Sequence, residues 1–360
     1  MAEFEFRLLG DDEQPLWDAF AAAHPQSDFC QAWDWGRLKA RGEWRAVRAG
    51  LFDGPALVAG AQVLLRPLPL GRTLAYACRG PLCDLTSAAG AAQRAALFDG
   101  LEAFARRQRA ICLKVDPCVG PAAAANLRLC GTVAAEGQNP SFGGTQPKWV
   151  MRLDLTPGLD AVLAGFKPDY RTRVRKAPKR GVTVRAAGEP AQWRAWYDDL
   201  LLATAHRQDF RVRAYSYFDA IRSDLTGACE SRLLLAEREG RLVGGILCLR
   251  FGPTVWYLYG GMNEEGREHY SGYLLQWAAM EWAVESGCAC YDFRGVAPPE
   301  AVDDPHQGLN RFKAGFGPRT VEWVGEWDLV LGPLSYRAFN TLLPLARRAL
   351  RRRGARPAAD

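Results

Sequence analysis

No run of 18 uncharged apolar residues occurs in this 360-residue chain, so nothing in it is expected to span a membrane as a helix. Its first residues, Met1-Ala2-Glu3-Phe4-Glu5, are acidic and lack an apolar core, which reads against a secretory signal. Histidine is scarce: His24, His206, His269 and His306 are dispersed, and no Ser-His-Asp or Cys-His array is evident. The ten cysteines are scattered, and Cys78/Cys83, Cys112/Cys118 and Cys288/Cys290 lack the paired spacing of a zinc site. Free thiols in a reducing cytoplasm are therefore expected, with no metal and no cofactor. There is no low-complexity block, and 48% hydrophobic with 24% charged residues is an ordinary globular mixture.

At this length two domains are expected, each able to bury a core. The second half repeats the plan of the first. Leu57-Val58-Ala59-Gly60-Ala61 and Leu242-Val243-Gly244-Gly245-Ile246 each follow a glycine-containing turn and open an apolar run. Tyr76…Gly80 is matched by Tyr257…Gly261, and Leu97–Lys114 by Leu275–Asp292. Three blocks in one order read as two copies of one unit, and twin units imply a cleft where two substrates meet.

Charge is clustered. The net charge is +6, yet Lys167, Arg171, Arg173, Arg175, Lys176, Lys179, Arg180 and Arg185 crowd one short segment opposed by Asp169 alone. Arg347, Arg348, Arg351, Arg352, Arg353 and Arg356 form a second cluster near the end. Such clusters suit polyphosphate partners, namely nucleic acid, nucleotide diphosphates or anionic lipid surfaces; solvated helix faces are the plain alternative.

Periodicity predicts a capped helix from Ser27 to Lys39, then strands near Arg45–Gly50, Leu57–Leu65 and Thr73–Cys78. Ala91–Arg107 has amphipathic helical spacing, Ile111–Val115 is a short strand, and Gly131–Pro147 is the natural linker. After it come a strand at Trp149–Leu155 and a basic helix opened by Pro168 and ended by Gly181. Helices at Trp193–Ala205 and Tyr215–Leu225 precede strands at Arg232–Glu237, Leu242–Phe251 and Thr254–Tyr259. A helix at Tyr273–Ser286 and a strand at Ala289–Phe293 follow. Strand, strand, strand, helix, strand, twice over, is an α+β fold with mixed sheets.

The loop Arg267-Glu268-His269-Tyr270-Ser271-Gly272 stands where acyl-CoA-dependent acetyltransferases of similar topology carry a (Gln/Arg)xxGx(Gly/Ala) pyrophosphate loop. Arg267 and Gly272 match, but Tyr270 replaces the first glycine, and a side chain there should crowd a phosphate. The first copy has no match. The fold thus resembles an acetyltransferase whose coenzyme A site is lost, which argues for another acyl donor.

Several ordered stretches carry a more specific likeness: Phe29-Cys30-Gln31-Ala32-Trp33-Asp34-Trp35-Gly36, Arg79-Gly80-Pro81, Leu113-Lys114-Val115-Asp116-Pro117 and Arg171-Thr172-Arg173-Val174-Arg175-Lys176-Ala177. Gly181-Val182, Arg213-Ala214-Tyr215-Ser216-Tyr217-Phe218, Tyr291-Asp292-Phe293-Arg294-Gly295 and Phe312-Lys313-Ala314-Gly315-Phe316-Gly317 complete the set. Over residues 27 to 330 the chain resembles the Fem family of peptidoglycan-bridge aminoacyltransferases, which move an amino acid from aminoacyl-tRNA to a stem-peptide amine. No long charged insert follows Tyr217, so the likeness is to the compact, armless type.

The resemblance implies two tandem GNAT (acyl-CoA N-acyltransferase-like) domains with mixed sheets and an interdomain cleft. Residues 1–147 plus 321–360 would form the first, precursor-binding domain, and 148–320 the second, aminoacyl-tRNA-binding one. It implies that Lys39, Arg213, Tyr217 and Tyr259 hold the precursor, where cations suit a diphosphate and tyrosine suits uracil. It implies that Lys313, in a glycine-rich loop, stabilises the oxyanion or meets the RNA 3′ end, with Phe312 stacking on a base. Asp116 would deprotonate or order the attacking amine, or else only cap its turn. The basic helix, with Arg171, Arg175 and Lys179 on one face and Lys176 beside them, is the candidate for tRNA backbone contact.

The expected function is therefore transfer of an amino acid from aminoacyl-tRNA to UDP-MurNAc-pentapeptide or lipid II. The expected place is the cytoplasm, in a monomer, with the C-terminal arginines either adding tRNA affinity or holding the enzyme near the anionic inner membrane leaflet. An ester donor is already activated, so positioning and one cation suffice. The rivals are an acyl-CoA N-acyltransferase of the same fold, a non-catalytic RNA-binding module, and transfer to a protein N-terminus.

Overall fold

The computed structural model describes residues 4–135, 144–207, 212–301, 303–304 and 306–341. The first part of the chain carries strands β1 (Phe4–Leu9), β2 (Arg45–Asp53), β3 (Ala56–Leu68), β4 (Arg72–Ala77), β5 (Ala110–Val115) and β6 (Val133–Ala134). Its helices are α1 (Gln14–Ala23), α2 (Trp33–Ala40), α3 (Ala91–Arg107) and α4 (Ala124–Leu129). The second part carries β7 (Trp149–Asp154), β8 (Val182–Ala186), β9 (Glu230–Arg238), β10 (Arg241–Phe251), β11 (Thr254–Met262), β12 (Cys290–Gly295), β13 (Arg319–Glu322) and β14 (Trp327–Val330). Its helices are α5 (Leu159–Gly165), α6 (Pro168–Lys179), α7 (Pro190–Ala195), α8 (Leu202–Arg207), α9 (Tyr215–Asp224), α10 (Glu264–Glu268), α11 (Ser271–Glu285) and α12 (Gln307–Ala314).

Two seven-stranded mixed sheets result, ordered β1-β2-β3-β4-β5-β14-β6 and β13-β7-β12-β11-β10-β9-β8. In each, four antiparallel strands are followed by a long helix and a strand parallel to the fourth: β1 to β4, α3 and β5, then β8 to β11, α11 and β12. The repeated sequence blocks fall on equivalent elements, β3 with β10 and α3–β5 with α11–β12. The next strand differs in origin: β14 lies antiparallel to β5, and β7 lies antiparallel to β12. The first sheet is thus completed from the end of the chain, the second from the segment before its own first strand.

The chain divides into two compact units, residues 1–26, 39–137 and 323–360 in one, and 27–38 and 138–322 in the other. The continuous first domain expected over 1–147 is interrupted at Ser27–Leu38, which group with the second unit. The cause is aromatic: the Phe29 ring packs edge-on against Trp35 at 4.8 Å and Trp256 of β11 at 5.2 Å, both buried. The single helix expected over Ser27–Lys39 is split as well. The Asp28 carboxylate accepts from the Cys30 N–H and caps a 3-10 turn at Phe29–Gln31; Ala32 is extended, and α2 begins at Trp33.

Within the first unit, Leu97, Phe98, Leu101, Phe104 and Ala105 form the buried stripe of α3, and β5 is buried along its whole length. An apolar strand beside a parallel neighbour, covered on both faces, reads as such a continuous run. Each fully buried leucine or phenylalanine there is worth about 2 kcal/mol. In the second unit α6 buries Tyr170, Val174 and Ala177 and turns Arg175, Lys176 and Lys179 to solvent. Gly181 follows at φ +82°, the left-handed position that ends the helix. The helix expected at Trp193–Ala205 is α7 and α8 joined by a π-helical stretch at Trp196–Leu201, which lets the buried Trp196 Nε1 donate to the Gly245 carbonyl. Residues 136–143 of the expected linker lie outside the described residues.

Candidate active site

Lys313 occupies the last turn of α12 rather than a loop. The helix is clamped to the chain beyond β12 because Asn310 both accepts from the Ala297 N–H and donates to the Ala297 carbonyl, each at 3.1 Å. One turn on, Lys313 is 3% exposed, and its Nζ donates to the Gly295 carbonyl at 2.7 Å. Burial pulls the ammonium down to about 7; Asp292 opposes that and Arg294 adds to it. Charged and neutral forms therefore coexist near neutral pH. The Phe312 ring is half-buried against Tyr273 and Phe316, at 5.5 and 5.3 Å, inside the second unit.

Asp292 lies beneath this lysine in β12, 4% exposed. Its carboxylate accepts from the Arg294 N–H at 2.6 Å and faces Arg152 Nε at 3.5 Å. Burial raises its pKa, and Arg152 and Arg294 pull it back.

A second group lies around Arg294. Its guanidinium sits 5.0 Å from the Phe29 ring centre, donates to Gln146 Oε1 at 2.6 Å and is 3.8 Å from Asp28. Arg213 lies 4.7 Å over the Tyr217 ring, and its charge acts on Tyr259 as well. Both tyrosines are raised above their ordinary pKa by burial, and both Arg213 and Arg294 pull them down. Both guanidiniums thus act electrostatically on the two phenols, and Arg294 also adds to the lowering of Lys313. The β11 backbone explains the choice of tyrosine. Leu247 pairs with Tyr259 and Cys248 with Tyr257, so a bulge at Leu258 turns the two rings to opposite faces. Regular alternation would put residues two apart on one face; here Tyr257 packs on the hydrophobic core and Tyr259 on Phe218. Sequence reasoning did not single out Arg294 and Asp292; the signal was two charges inside an otherwise apolar strand, Tyr291-Asp292-Phe293-Arg294.

The structure therefore brings Arg213, Tyr217 and Tyr259 together in the second unit, whereas Lys39, half-buried at the end of α2, groups with the first. Three of the four residues expected to hold the precursor thus fall in the unit expected to take the aminoacyl-tRNA. Asp116 also belongs to the first unit, just past β5 and 1% exposed. Its Oδ2 accepts from the Tyr76 hydroxyl at 2.8 Å and its Oδ1 from the Arg79 N–H at 2.6 Å. Burial pushes its carboxyl up to about 7 against the pull of Arg79 and those bonds.

On α6, Arg171 is drawn inward, its Nη1 donating to the Ala164 and Phe166 carbonyls, so it closes the end of α5. Arg175, Lys176 and Lys179 are exposed. Arg173 hydrogen-bonds the Tyr273 hydroxyl, and Arg180 lies 4.5 Å over the Tyr270 ring. Tyr270 itself adopts φ +65°, a left-handed conformation that glycine takes readily, and its ring lies 6.2 Å from that of Tyr273 in the first turn of α11. In the first unit Asp84 occupies the equivalent turn before α3, accepting from the Thr86 and Ser87 N–H groups at 2.9 Å. Each loop is thus filled by the chain's own side chain.

Two mixed sheets, each with its helix between two parallel strands, define a tandem acetyltransferase-like protein. Of solved structures, FemX superposes with a TM-score of 0.83 at 24% identity, covering 92% of this chain and 99% of that one. A tandem GNAT protein from the clavulanic acid biosynthesis pathway gives 0.53 at 18%, covering 91% and 98%. The FemAB family model matches residues 13–230 and 229–343. The chain belongs to the FemAB family. Curated relatives include the lipid II:glycine glycyltransferases of Staphylococcus saprophyticus, 27% identical, and Staphylococcus aureus strain USA300, 25% identical; each match covers 91% of this chain and 94% of the relative. Among the described residues no helix is long and apolar enough to cross a membrane.

Proposed function

We propose that this protein is a tRNA-dependent aminoacyltransferase of peptidoglycan-bridge synthesis. It takes an amino acid from the 3′ ester of aminoacyl-tRNA and joins it to the side-chain amine of a precursor's stem peptide, UDP-MurNAc-pentapeptide or lipid II. The observation that carries this reading is the pairing, within one unit, of a buried lysine poised near neutrality with the Arg213–Tyr217–Tyr259 group. Family membership, and relatives named for glycyl transfer to lipid II, support it.

The neutral amine attacks the ester carbonyl carbon. A C–N bond forms, the carbonyl oxygen takes up the charge, and the C–O bond to the ribose 3′ oxygen then breaks. The amine loses a proton and the 3′ oxygen gains one. Lys313, as ammonium, donates to the developing oxyanion while the Gly295 carbonyl holds its Nζ. Arg213 and Arg294 suit the precursor's diphosphate, and Tyr217 and Tyr259 its base or sugar. Asp116 is the proposed proton acceptor; a carboxyl titrating near 7 suits that task, while its Oδ1 also holds the Arg79 N–H and its Oδ2 the Tyr76 hydroxyl. Arg175, Lys176 and Lys179 are proposed to meet the tRNA backbone. The filled loops at Tyr270 and Asp84 weigh against a coenzyme A donor.

The test mixes the protein with pooled radiolabelled aminoacyl-tRNAs and either precursor, resolving products by mass. A precursor heavier by one aminoacyl residue is expected. No transfer to either acceptor, with acetyl-CoA consumed, would overturn the proposal.

A further inference from the structure

One end of the first sheet carries apolar side chains that none of the described residues covers. Between β3 and β4 the chain turns at Pro69–Gly71, and Leu70, at the tip, is 92% exposed with φ +61°. Leu68 beside it packs with Trp44, Tyr336 and Phe339 on Leu74, Ile111 and Cys112. Leu334, 83% exposed, opens the helical stretch at 333–341, whose start is tied to the same end because the Leu331 and Gly332 N–H groups donate to the Ile111 carbonyl. A leucine in a left-handed turn is disfavoured twice, by its backbone and by its exposed side chain. Folding stability explains neither cost.

The ground around these leucines is cationic. Arg72 pairs with Leu68 across the hairpin, Arg109 lies against Gly71, and Arg66 rests 5.3 Å over the Trp44 ring. Arg107 and Arg337 are exposed at the same end. Among the described residues none of these five is paired with a carboxylate, and Glu102 nearby is already held by Arg106 at 2.6 Å. From residue 342 the sequence runs on into the arginines of 347–356.

We propose that this end of the first unit is a docking surface for an anionic phospholipid membrane, with Leu70 and Leu334 entering the headgroup layer and the arginines facing lipid phosphates. An apolar tip ringed by unpaired cations is the form that combines shallow insertion with attraction to an anionic leaflet. A protein partner of equal affinity would not need the leucine so fully exposed, and an RNA partner would use the arginines without it. The inference does not depend on the reaction proposed above, since its readout is binding alone.

The test is sedimentation of the full chain with vesicles of phosphatidylcholine alone and with about a third phosphatidylglycerol. Binding to the anionic vesicles only is expected. Leu70→Asn places a polar side chain that tolerates the left-handed turn, so it keeps the fold, and it should weaken vesicle binding about tenfold. The double variant Arg72→Gln/Arg109→Asn should weaken it about twenty-five-fold, at roughly fivefold per arginine. Thermal unfolding of both variants should match the parent. Equal binding to neutral vesicles would overturn the proposal. So would Leu70→Asn binding like the parent: with the arginine variant weakened for vesicles and tRNA alike, the surface is a polyanion site, and with neither variant weakened, the C-terminal segment does the binding.

Discussion

Replacing Lys313 by methionine keeps most of the side-chain volume and removes the charge from a site that is 3% exposed. In the folded chain the ammonium titrates near 7, against its ordinary value of 10.5. Between those values the unfolded chain holds more protons than the folded one, so this group makes stability rise with pH; below about 6 both states are protonated and the dependence stops. At about 1.4 kcal/mol per pKa unit, the parent should gain about 3 kcal/mol relative to Lys313→Met between pH 6 and pH 9. Loss of the hydrogen bond to the Gly295 carbonyl adds an offset of about 1 kcal/mol that does not vary with pH. Urea unfolding of both chains at four pH values gives the difference directly. A difference that stays flat would show that Lys313 titrates normally, and the reading of a lysine poised near neutrality by burial would fall.

Asp116→Asn tests the opposite sign. A carboxyl raised to about 7 keeps its proton in the folded state, so the parent should lose about 2 kcal/mol of stability from pH 5 to pH 7 that the variant does not lose; urea midpoints at the two pH values decide it. The transfer rate of the same variant should fall by a factor of 100 or more, on the order of a general base's contribution, whereas an Asp that only holds the Arg79 turn would leave it near the parent's. On α6, the exposed trio Arg175→Gln, Lys176→Gln and Lys179→Gln should leave folding unchanged and lower the slope of log affinity for tRNA against log salt by about 2. An unchanged slope would remove that helix from the RNA contact.

Much of the second unit's local structure was legible because short-range rules govern it. Pro168 and Gly181 bracket α6, and its apolar residues recur at helical spacing while its cations fall on the other face. Arg213 and Tyr217 came together only through the family resemblance; the start of α9 at Tyr215 then lays the guanidinium over the ring. Tyr259 could not be separated from Tyr257, since only the bulge opposite Leu247 and Cys248 turns one toward Arg213 and the other into the core. The standing of Lys313 was likewise hidden: Phe-Lys-Ala-Gly-Phe-Gly looks like an exposed loop until Asn310 clamps its helix and burial strips water from the ammonium.

The sequence by itself determined the duplicated strand and helix plan, the basic face of α6 and the loss of a glycine at Tyr270, because each depends on neighbours within a few residues or on a periodicity. Tertiary structure alone decided that Ser27–Leu38 join the second unit, that Arg294 lies among both charged groups, and that Leu70 stands bare among arginines. Those outcomes depend on which distant surfaces meet. Hydrophobic burial is not directional, so a residue's partner and its pKa follow from where the rest of the chain has been packed.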